Sequence, residues 1–161
     1  MSEKPISGAL FPCFAADRIG GGQVVVVYRG RHCQLAKPFL AKLNDMTTKF
    51  TERNIHVVAI SAERVDRAEA DAKEFGWPFE VGYGLTLDTM RAMGLYISEP
   101  RYALETDGPY AEPALFALST RGTVEVINIS NAAFSLPDLA GLLAGITFIQ
   151  NCDYAPGGTL E

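Results

Sequence analysis

Apolar positions recur in two different rhythms along this chain, and their order predicts an alternating α/β fold. Residues 24–28 (VVVVY) are apolar on both alternating faces, as expected of a central strand covered on both sides. From Pro38, the positions Phe39, Leu43, Met46 and Phe50 follow helical spacing, with Asn54 suited to the helix end. Residues 55–60 (IHVVAI) predict a second buried strand. Ser61 then offers a cap for a charged helix running to about Phe75, stopped by Gly76 and Pro78. A short strand over 79–81 and the turn Gly82-Tyr83-Gly84 follow, then a brief helix capped by Thr86 and ending near Gly94.

The second half changes character. Residues 98–112 carry Pro100, Gly108 and Pro109 without sustained periodicity and predict a long loop that is functional, an interface or mobile. Residues 114–118 and 123–129, separated by Thr120-Arg121-Gly122, predict a β-hairpin. Ser135 with Asp138 three residues on is a capping signal for a last helix whose apolar face is Leu139, Leu142, Leu143 and Ile146. Parallel βαβ units followed by an antiparallel hairpin and a helix give a three-layer α/β sandwich, its mixed central sheet flanked by helices. This is the thioredoxin arrangement, with residues 1–22 as an N-terminal extension, 23–150 as the domain and 151–161 as a polar, glycine-rich tail. Within the extension, a short strand is expected around residues 10–15.

Composition narrows the classes of function. With 161 residues, 48% of them hydrophobic, the chain supports one domain with a full core. A net charge of -5 argues against a nucleic-acid or anionic-membrane surface. No apolar run reaches transmembrane length and the N-terminus lacks a signal-peptide core, so a cytoplasmic protein is expected. The three cysteines, an odd and low number, are expected as free thiols. His32 and His56 have no metal-ligand spacing with them, and Gly20 to Gly22 precede a strand instead of opening a helix. Neither a metal nor a cofactor is expected.

One position stands out chemically. Cys33 lies between the first strand and the first helix, with Arg29, Arg31, His32 and Lys37 nearby and no acid among residues 24–40. Cations and helix N-termini favour the thiolate, which is the reactive form of cysteine. The alternative is a buried structural cysteine beside a solvated turn. His56, within an apolar strand, reads as a core or edge residue.

The blocks Tyr28-Arg29-Gly30-x-His32-Cys33, Val81-Gly82-Tyr83-Gly84-Leu85, Gly94-Leu95-Tyr96-Ile97-Ser98 and Glu112-Pro113-x-Leu115-Phe116, with Asp153-Tyr154 in the tail, resemble the peroxiredoxin-like redoxin family of the AhpC/TSA group. The resemblance implies a thioredoxin fold and a thiol-dependent oxidoreductase. It also locates two departures. Where family members resemble Cys-Pro-x-Cys, this chain has Cys33, Gln34, Leu35 and Ala36, so the internal disulfide of a thioredoxin cycle cannot form. The peroxiredoxin motif of proline, threonine four residues on and cysteine three further falls on Arg29, Cys33 and Ala36, or on Val26, Gly30 and Cys33. Neither register supplies the threonine hydroxyl.

What the resemblance implies is therefore a single nucleophile, Cys33, attacking a peroxide or disulfide. Arg29, Arg31 and His32 would favour its thiolate or bind substrate, and Pro113, opening the late strand, would shape a substrate edge. Turnover would draw on an external thiol such as glutathione or a thioredoxin, or on Cys152 as a resolving cysteine from the tail. Cys13 reads as a packing residue. Edge pairing to a homodimer is expected by the same analogy. The competing expectation is a degenerate binding or redox-sensing protein that lost its chemistry with the second cysteine and docks a partner through residues 98–112.

Overall fold

The computed structural model describes residues 22–160, so Cys13, the strand expected over 10–15 and most of the N-terminal extension lie outside the described residues. Strand β1 (Gly22–Val27) is central because all of its valines are buried, two toward each face. It pairs in parallel with β2 (Ile55–Ile60), which pairs in parallel with β3 (Glu80–Gly82). On its other side β1 runs antiparallel to β6 (Ala114–Leu118), whose hairpin partner is β7 (Val124–Ile129). The order β3-β2-β1-β6-β7 is the mixed five-stranded sheet expected from sequence.

The sheet separates two apolar layers. Val24, Val26, Leu115 and Ala117 face a core with Leu40, Leu43 and Phe50 of α1 (Lys37–Glu52) and with Leu139 and Ile146 of α4 (Leu139–Asn151). Val25, Val27, Phe116 and Leu118 face the other core, with Met90 of α3 (Leu87–Ala92), Met93 and Leu95. Alternation along a strand thus feeds both layers from one run of valines.

The helix ends follow local chemistry, with two corrections. Helix α1 has Pro38 in its first turn and ends at Arg53, after which Asn54 takes the left-handed conformation at φ 57°. Helix α2 (Val65–Phe75) stops at Gly76, φ 60°, as its sequence predicts. It does not start at Ser61, however: the Ser61 hydroxyl accepts the Glu63 N–H at 3.3 Å in a local turn, and the helix opens at Arg64. Thr86 caps α3 by accepting the Thr89 N–H at 3.2 Å. The cap of α4 is Asp138, which accepts the Gly141 N–H at 2.7 Å, and Ser135 lies ahead of it.

The expected loop over 98–112 is also more ordered than its composition suggests. Its ends form a two-stranded sheet, β4 (Ile97–Ser98) with β5 (Tyr110–Ala111), which carries the intervening segment as a flap. Among the described residues no helix is long and apolar enough to cross a membrane.

Candidate active site

The site is built where β1 leaves the sheet. The Tyr28 N–H still donates to the Ile60 carbonyl at 3.0 Å, and the chain then turns at Gly30, φ 123°. The Cys33 N–H donates to the Gly30 carbonyl at 3.1 Å, closing a turn that holds the thiol inward, 5% exposed. Helix α1 begins only at Lys37, with the buried Ala36 as its cap residue. Cys33 therefore sits one turn upstream of the helix N-terminus, and cations matter more to it than the helix dipole, which falls off within a turn.

One cation is in place. Arg29 Nη1 donates to Cys33 Sγ at 3.8 Å. The same guanidinium donates through Nη2 to the Tyr110 hydroxyl at 2.7 Å, lies 4.9 Å over the Tyr110 ring, and has Nε 3.3 Å from Glu112 Oε2. Burial disfavours the charged form of Arg29, but Tyr110 and Glu112 outweigh it and raise its pKa, so the cation persists. Glu112 is held in turn: its Oε1 accepts from the Ser98 hydroxyl at 2.6 Å and its N–H donates to the Tyr96 carbonyl at 2.8 Å. Tyr110, which braces Arg29, and Ser98, which holds Glu112, thus come from the paired strands at the base of the flap.

The other basic neighbours of Cys33 go elsewhere. Arg31 is a correction to the sequence expectation. Its guanidinium is engaged by the buried Asp71, and by Glu74 at 2.6 Å, both on α2, which commits it to that helix and not to the thiol. His32 is nine-tenths buried, with its ring edge-on to Tyr110 at 4.7 Å between centroids and Nδ1 3.9 Å from Glu63 Oε1. Glu63 is itself buried. That burial opposes its ionisation, yet His32, the Arg31 N–H and Arg67 together hold its pKa below the ordinary value. On the flap, Glu105 accepts from the Arg101 N–H at 2.6 Å and from Arg101 Nε at 2.8 Å. The Arg101 hydrogen bonds, with His32 adding to them, pull its pKa down to about 2.

Two more expectations meet the geometry differently. Pro113 does open β6, but all described peptide bonds are trans and the backbone groups beside it are engaged. The Glu112 N–H goes to Tyr96 and the Pro113 carbonyl accepts the Ser130 N–H at 3.0 Å, so these two backbone groups are committed within the fold and not to a substrate. Cys152 ends α4, where Gln150 Nε2 donates to the Arg53 carbonyl at the far end of α1. Cys33 precedes the start of that 16-residue helix, which spans about 24 Å at 1.5 Å per residue. A disulfide needs Cα atoms within roughly 7 Å, so Cys152 does not reach Cys33 of its own chain. Among the described residues, no cluster of three His, Cys, Asp or Glu side chains is arranged to hold a metal ion.

Sequence reasoning missed Tyr110, Glu63 and Glu105 as site residues, and it singled out Ser98 and Glu112 only as parts of motifs. Arg29 and Tyr110 are 81 positions apart, and nothing in the local pattern announces their meeting.

A buried thiol just beyond the central strand of this mixed sheet, beside a cationic side chain, defines a thioredoxin-fold thiol protein. Within that class the chain belongs to the AhpC/TSA family, whose model matches residues 15–127, and it is peroxiredoxin-like. Solved structures agree on the fold. A cysteine-to-serine variant of peroxiredoxin 6 of Arenicola marina superimposes with a TM-score of 0.75 at 16% identity, covering 94% of this chain and 80% of that one. AhpC of Mycobacterium tuberculosis gives 0.74 at 11% identity over 92% and 94%. The peroxidoxin BcpB of Mycobacterium tuberculosis gives 0.72 at 15% identity over 90% and 98%. Comparison with curated proteins finds no significant match.

Proposed function

We propose that this chain is a thiol-dependent oxidoreductase in which Cys33 alone attacks a small oxidant of the hydroperoxide class. The observation that carries this reading is the Arg29 guanidinium 3.8 Å from Sγ, fixed on its other sides by Tyr110 and Glu112. A cation so placed favours the thiolate and stays aimed at the charge that develops on oxygen as the O–O bond breaks. Burial of Cys33 in the core with Tyr28, Ala36 and Leu40, and the engaged Glu112 N–H beside Pro113, favour a small oxidant over a protein disulfide.

The cycle balances without a second cysteine. The Cys33 thiolate attacks one peroxide oxygen, the O–O bond breaks, and the departing alkoxide takes a proton and leaves as alcohol. Cys33 becomes a sulfenic acid. An external thiol, of glutathione size or presented by a thioredoxin, attacks that sulfur, water leaves, and a mixed disulfide forms. A second thiol then releases Cys33 as thiol and departs as disulfide. The distance between Cys33 and Cys152 supports external recycling over an intrachain route.

The test is limiting hydrogen peroxide with a sulfenic-acid trap, followed by intact mass spectrometry on wild type and Cys33→Ser. Rapid trapping near neutral pH, abolished in the variant, is the expected result. Trapping no faster than a free cysteine would overturn the proposal in favour of a non-enzymatic thioredoxin-fold module.

A further inference from the structure

The turn that carries Cys33 is held from below by a residue 30 positions further on. The Arg31 N–H, at the crest of that turn, donates to Glu63 Oε1 at 3.1 Å. This close approach depends on Gly30: a Cβ there would lie 2.6 Å from Glu63 Oε1 and 2.8 Å from its Cγ. With φ at 123°, glycine also suits the backbone conformation. The carboxylate thus lies flush against the turn backbone.

Glu63 is well placed to act as a fixed post. Its N–H donates to the Ser61 hydroxyl at 3.3 Å and its carbonyl accepts the Gly84 N–H at 2.8 Å, tying it to the residue that follows β2 and to the turn after β3. Its second carboxylate oxygen lies 3.5 Å from Arg67 Nη1, and Arg67 Nη2 in turn donates to Asp107 of the flap at 3.3 Å. One buried carboxylate therefore connects the Cys33 turn, helix α2 and the flap that supplies Tyr110.

We infer that Glu63 is a positioning residue, which fixes the 30–33 turn so that Cys33 Sγ stays within reach of Arg29. It touches neither substrate nor thiol and acts through the Arg31 amide. The consequence for oxidation rests on the function proposed above; the consequence for the turn does not. A displacement near 1 Å can cost roughly a hundredfold in rate, so loss of the post should be visible even in a folded protein.

The experiment compares Glu63→Gln and Glu63→Ala with wild type. Gln keeps an acceptor oxygen for the Arg31 N–H, whereas Ala removes it. Two readouts are taken on folded samples: the rate constant for Cys33 oxidation by hydrogen peroxide, and amide hydrogen exchange at Arg31 with Val58 in β2 as the internal reference. The expected result is a fall of about tenfold or more in the oxidation rate for Ala, with Gln within roughly threefold of wild type. Arg31 protection is lost selectively in Ala and retained in Gln, a rescue that general destabilisation would not produce. Wild-type oxidation and Arg31 protection in Ala would overturn the inference, as would equal losses in Gln and Ala. If wild-type Cys33 itself is inert to peroxide, the functional proposal falls, and Arg31 exchange alone decides whether Glu63 holds the turn.

Discussion

Replacing Arg29 with methionine separates the two things this residue does. At 3.8 Å from Sγ, a full charge interacts with a thiolate by about 4 kcal/mol at an effective dielectric constant near 20. Glu112, 3.3 Å from Nε, cancels part of that field, and a net worth of about 2 kcal/mol corresponds to roughly a 30-fold change in rate. The structural role is of similar size. Without Arg29, the Glu112 carboxylate, whose side chain is 9% exposed, loses its only described cation and keeps the Ser98 hydroxyl. Leaving such a charge without its partner costs about 3 kcal/mol, or roughly 6 to 12 °C in melting temperature for a domain of this size. The assay is the second-order rate constant for Cys33 oxidation at pH 7, measured well below the melting temperature and paired with thermal unfolding. Arg29→Met combined with Glu112→Gln removes the orphaned charge along with the cation. That double variant is expected to recover most of the stability while its oxidation stays slow. If it recovers both, or if Arg29→Met is oxidised at the wild-type rate, Arg29 is a brace and the electrostatic reasoning fails.

Three further outcomes follow from the charged groups and the thiols. Arg31→Ala leaves the buried Asp71 without its guanidinium, and because Arg31 is 40% exposed the cost is screened to about 1 to 2 kcal/mol at pH 7. Burial already raises the pKa of Asp71 against the pull of Arg31, so its favourable contribution is full at acid pH and lost as pH rises through the raised value. The gap in melting temperature between wild type and Arg31→Ala should therefore narrow as pH falls from 7 toward 4. Glu105 behaves oppositely, because its pKa is depressed to about 2: its contribution is present above the unfolded carboxylate pKa and lost as pH falls through 2. Acid-unfolding curves should consequently show a shallower loss between about pH 4.5 and 2 in Glu105→Gln than in wild type, and parallel curves would refute the assignment. Peptide mapping after peroxide treatment of dilute protein should find no Cys33–Cys152 crosslink, and Cys152→Ser should leave Cys33 trapping unchanged.

What was legible in the chain and what was not divide along a physical line. The strand at 55–60, the hairpin after Pro113 and the glycine stop at Gly76 are set by local periodicity and backbone preference and appear where the pattern places them, while the strand expected over 24–28 runs from Gly22 to Val27. Cys33 was visible for the same reason, as a thiol where a buried strand ends. Its surroundings were not. Arg29 and Arg31 are two residues apart and look equivalent in sequence, yet one reaches the thiol and the other is drawn to Asp71 and Glu74 on α2. The partners decide this, at separations of 40 and 43 residues for Arg31 and 81 for the Arg29–Tyr110 bond. The flap illustrates the same limit from the other side. Its paired strands are two residues each, too short to leave a period, and the segment reads as loop. Even so, it delivers Tyr110 and Ser98 to the site. The loss of the second cysteine at Ala36 gains its meaning here. The thiol that remains is one turn away from the helix N-terminus, so in the function proposed above the part a helix dipole would play at position 36 falls at position 33 to a side chain. Arg29, clamped by an aromatic hydroxyl and a carboxylate from remote sequence, is placed to supply it.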